Sequence, residues 1–70
     1  MIIENEVLEL VSKYLAKGER AYFESYSLWL QLKDETKQAK ARKIFSELFV
    51  NYDGQIQISP AGSEYVIDFI

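Results

Sequence analysis

The chain has seventy residues, a net charge of −3, and neither cysteine nor histidine. A chain this short is one domain, spanning 1–70, and buries only about 60% of its extended surface, so one small core must supply nearly all its stability. Without cysteine there is no disulfide or thiolate zinc site, and without histidine there is no Ser–His–acid triad, Cys–His pair or imidazole-held metal.

With 49% apolar and 14% aromatic residues, the composition is that of a folded domain. The N-terminal run Met1-Ile2-Ile3-Glu4-Asn5-Glu6 lacks the basic and apolar regions of a secretory signal. No stretch approaches the roughly 18 apolar residues of a membrane span. The expectation is a cytoplasmic domain with no membrane contact.

In chain order, residues 3–17 read as an amphipathic helix with Ile3, Val7, Leu10, Val11 and Tyr14 at helical spacing. Glu9 and Lys13 form an i,i+4 pair, and Gly18 supplies a left-handed stop. Residues 21–33 fit two periods. Tyr26, Leu28, Leu30 and Leu32 alternate as in a half-buried strand, while Ser25 as N-cap with Leu28, Trp29 and Leu32 inward fits a short helix. The reading adopted is a short extended piece at 21–24 followed by a short helix.

Asp34-Glu35-Thr36 reads as a turn that caps the next helix. That helix runs to about Val50, with Ala41, Ile44, Phe45, Leu48 and Phe49 on one face. Asn51-Tyr52-Asp53-Gly54 carries turn chemistry. The tail reads as a β-hairpin: Ile56 and Ile58 alternate with Gln55 and Gln57, Ser59 to Ser63 connects, and Glu64–Ile70 returns.

Charge is distributed unevenly along this pattern. Five of the eight cations lie between Lys33 and Lys43, and none follows Lys43. The solvent side of the basic helix carries Ala39, Lys40, Lys43, Ser46 and Glu47, with Arg42 at its border and Lys37 and Gln38 in the first turn. Lysine and arginine there would neutralise phosphates, and Gln38 could read an adenine edge.

The order helix, short strand, short helix, turn, basic helix, hairpin resembles a winged helix-turn-helix domain. The resemblance covers nearly the whole chain as an order of elements. It implies an α+β fold of three helices with a C-terminal β-hairpin, in which Ser25–Lys33 is the second helix, Thr36–Val50 the recognition helix and Gln55–Ile70 the wing. It also implies docking on double-stranded DNA through Lys37, Gln38, Lys40, Arg42 and Lys43, as in a transcription regulator. The chain departs from that pattern in a wing loop without lysine or arginine.

Catalytic signatures are missing. The acidic pairs Glu4/Glu6 and Asp34/Glu35 suit helix starts, the glycines are isolated, and Asp53-Gly54 lacks the partners of a calcium loop. No enzyme activity, cofactor or metal is expected. The alternative to a nucleic-acid regulator is a protein-interaction adaptor that uses its aromatic surface and hairpin edge. Val66, Asp68 and Ile70 on the outer face of the last strand would form that interface, with a second copy or another protein.

Overall fold

Alternation, and not helical spacing, governs residues 20–31. The computed structural model, which describes residues 4–33, 36–52 and 55–69, forms α1 at Glu4–Ser12, β1 at Arg20–Glu24 and β2 at Ser27–Gln31, followed by α2 at Lys37–Asn51, β3 at Ile56–Ala61 and β4 at Glu64–Phe69. The four strands make one antiparallel sheet in the order β1-β2-β4-β3. Three helices with a C-terminal hairpin, the winged-helix arrangement, is therefore corrected to two helices on a four-stranded sheet. The segment expected as the second helix is β2.

The strand wins at 27–31 because its inward residues meet partners across two neighbouring strands. Leu28 lies opposite Phe23 and Ile67, and Leu30 lies opposite Ala21 and Tyr65. A helix could bury one stripe of this segment, whereas a central strand buries Leu28 and Leu30 completely. The β1–β2 turn, Ser25-Tyr26, has φ of 54° and 66°. Two consecutive positive values mark the type I′ geometry that matches the twist of paired strands.

The tail hairpin forms as expected, although β3 continues through Pro60 to Ala61 and the connection shortens to Gly62-Ser63. Gly62 adopts φ of 64°, as the first central residue of a tight hairpin requires. Pro60 is tolerated because β3 is an edge strand and needs no donor on its outer side.

α1 is shorter than its periodicity predicts. The Ser12 hydroxyl donates to the Glu9 carbonyl, and the next turns close by Tyr14 N–H to Val11 O and Leu15 N–H to Ser12 O. These three-residue closures end the helix early and drop Tyr14 and Leu15 onto the core. Gly18, with φ of 86°, redirects the chain into β1 instead of stopping the helix. The expected Glu9–Lys13 pair is replaced by Lys13 with Glu47 of α2 at 2.9 Å. Ile3, the Asp34-Glu35 cap, the Asp53-Gly54 turn and Ile70 lie outside the described residues.

Both helices cover one face of the sheet. Val7 and Val11 of α1 and Ala41, Ile44 and Leu48 of α2 join Leu28, Leu30, Leu32, Ile56 and Ile67 in a single core. Phe69 closes one end of it, 5.9 Å from Phe23 and edge-on to Tyr52 at 5.5 Å. Among the described residues, no helix is long and apolar enough to cross a membrane.

Candidate functional site

Two-residue periodicity sends every second side chain away from the helices. The register places Tyr22, Trp29, Val66 and Ser59 in one row across the open face. Glu24, Ser27, Asp68 and Gln57 form the row on one side of it, and the Arg20–Gln31 pair lies on the other. None of the three apolar members of the central row packs against the core. Tyr22 and Trp29 stand with rings nearly parallel, 9° apart, at a centroid separation of 6.5 Å. The guanidinium of Arg20 sits 5.2 Å from the Tyr22 ring centre.

The polar groups around this row are held in place. Glu64 accepts from the Tyr22 hydroxyl at 3.0 Å and from the Gln31 amide at 3.2 Å. The Trp29 indole donates to the Glu24 carbonyl at 3.1 Å, and the Ser27 hydroxyl donates to Asp68. Partial desolvation, then the Glu64 carboxylate, raises the Tyr22 hydroxyl above the usual phenol range. Tyr22 therefore stays a neutral donor at neutral pH. At the β1–β2 turn, Tyr26 is 88% exposed in its left-handed conformation, beside a shallow hollow that Glu4 of α1, Phe23 and Glu24 also line.

The basic residues gather elsewhere. Lys13 and Lys17 lie in the α1–β1 connection, Arg20 starts β1, Lys33 follows β2, and Lys37, Lys40, Arg42 and Lys43 occupy the first half of α2. β1 begins where β2 ends, and Glu19 ties that end to α2 through Lys40, which brings Arg20, Lys33 and Lys40 to one end of the sheet. The Glu19 carboxylate, 1% exposed, accepts from Lys40 at 2.7 Å, from the Ala16 amide at 2.7 Å and from the Lys33 amide at 2.9 Å. Lys40, followed by the two amides, lowers its pKa from 4.5 to about 2. Likewise Glu47 accepts from Tyr14 at 2.6 Å and pairs with Lys13, which holds it below the usual carboxylate range.

Of the proposed nucleic-acid contacts, Gln38, Arg42 and Lys43 are exposed on α2, Lys37 is half-buried, and Lys40 is committed to Glu19 with its side chain 16% exposed. The proposed protein interface is altered by the topology. β4 pairs with β2 and β3, so Val66 and Asp68 sit on an interior strand and not on an edge, and the edges are β1 and β3. Both residues do face away from the helices, beside Trp29 and Ser27. Tyr22, Gln31 and Glu64 complete this surface and were not singled out as site residues. The outward alternation Ser27, Trp29, Gln31 was their signal. Comparison with family models, with curated proteins and with solved structures finds no match.

Proposed function

We propose that this protein is a non-catalytic adaptor that binds another protein on the open face of its sheet. The observation carrying this reading is the Tyr22–Trp29 pair at the centre of an uncovered face, ringed by side chains already fixed by hydrogen bonds. Rigid aromatic side chains supply contact area at low ordering cost, which is why tyrosine and tryptophan anchor protein interfaces. Tyr26 supports the same reading. An exposed aromatic residue at positive φ contributes nothing to the core while straining the backbone, and such strain concentrates at binding sites.

A photo-crosslinking residue placed at Val66 in cells should give a discrete protein adduct that Trp29→Ala abolishes. An adduct formed only from Ser46, on the solvent side of α2, would contradict the reading.

The run of four cations in the first half of α2 favours a second reading, contact with a nucleic-acid backbone through Lys37, Arg42 and Lys43. With Lys40 held by Glu19, about three phosphate contacts remain, giving a slope near −3 in log affinity against log salt. Labelled duplex titrated at low salt tests this reading. Affinity unchanged by replacing those three residues with glutamine would end it.

A further inference from the structure

We infer that the occupant of the open sheet face is an extended cationic segment, with an arginine or lysine side chain seated on Trp29 among the carboxylates of Glu24, Glu64 and Asp68. This rests on the proposed reading of that face as the binding surface. Its charge selects the occupant: Glu24 and Asp68 share an outward row that holds no cation among the described residues, while Arg20 stands in the opposite row and Lys33 and Lys37 flank Gln31 and Glu64. Arg20 already lies over Tyr22, so the aromatic row accommodates a guanidinium within the chain itself. Glu64 uses each carboxylate oxygen once, towards Tyr22 and Gln31, and each oxygen keeps a lone pair for an incoming donor.

The same charges weigh against other occupants. A second copy stacked face to face would bring carboxylates against carboxylates, and a nucleic-acid backbone would meet net negative charge.

Trp29 is the sole tryptophan, so its emission reports occupancy directly. The probes are a short peptide alternating arginine with serine, its counterpart alternating glutamate with serine, and a DNA duplex. The arginine peptide should change Trp29 emission saturably, and the glutamate peptide and the duplex should not. Glu24→Gln with Asp68→Asn, which keep the acceptor oxygens, should weaken binding about tenfold. Glu6→Gln with Glu9→Gln removes equal charge from α1, behind the sheet, and should weaken it less than about twofold. The Glu24→Gln, Asp68→Asn variant should melt within a few degrees of wild type while binding the peptide more weakly, which separates loss of the site from loss of the fold.

Equal losses in the two double variants would reduce the effect to overall charge and overturn the inference, as would the absence of a saturable change at low salt. If the peptide fails while Val66 still crosslinks a protein in a Trp29-dependent way, the cationic partner is wrong and the sheet face stands. If both fail, the reading of the face itself is wrong.

Discussion

The two faces of the sheet are built from the same strands and do opposite work. Towards the helices, Leu28, Leu30 and Ile67 are fully buried, and among the described residues no polar or charged one is buried in the core. Away from the helices, the alternate residues of those strands are Ser27, Trp29, Gln31, Val66 and Asp68, all but Val66 tied by hydrogen bonds to neighbours. One face supplies stability, and the other keeps aromatic and charged groups in fixed positions without being needed for the core. Side chains one residue apart should therefore differ sharply in what their loss does.

The largest contrast lies there. Leu30→Ala or Ile67→Ala should cost about 2–5 kcal/mol, comparable with the roughly 3–5 kcal/mol that a core of this size provides. Either variant should be largely unfolded in a denaturant titration. Val66→Thr on the other face should shift the midpoint by about 0.5 kcal/mol or less. Similar losses on both faces would mean that something covers the open one.

Glu19 comes next. Glu19→Ala removes the carboxylate that the Lys40 ammonium and the Ala16 and Lys33 amides share and should cost about 1–3 kcal/mol. Its folded pKa lies below the unfolded one, so its contribution is complete above about pH 4.5 and is lost as pH falls towards 2. Wild type should therefore lose more stability than Glu19→Gln across that window, and parallel curves would show that the lock contributes nothing.

Smaller effects lie at the turns. Tyr26→Gly relieves a left-handed side chain and should stabilise the fold by about 1 kcal/mol, whereas Gly62→Ala imposes one and should destabilise it by about the same amount. Arg42→Gln with Lys43→Gln, on the exposed side of α2, should stay within about 0.5 kcal/mol of wild type in the same assay.

These contrasts explain what could be read from the chain. α2 was legible because Ala41, Ile44 and Leu48 keep helical spacing, and the second hairpin was legible because Pro60 and Gly62 announce it. The first hairpin was not. Its turn, Ser25-Tyr26, adopts type I′ geometry without the asparagine or glycine that normally signals it. Leu28 and Leu32 also satisfy the helical period, so alternation alone could not decide. The decision comes from β4, more than thirty residues later in the chain, which supplies Ile67 and Tyr65 opposite Leu28 and Leu30. Once β4 takes that interior place, Trp29 and Val66 become neighbours on one surface, a relation that no local pattern contains.

Backbone amide shifts recorded while the arginine–serine peptide is added test the central claim most directly. The changes should concentrate at Tyr22, Trp29, Gln31 and Val66, across three adjacent strands, and leave α2 unmoved. Changes centred on Arg42 and Lys43 would place the peptide away from the open face and contradict the account, and none at saturating peptide would overturn the cationic partner.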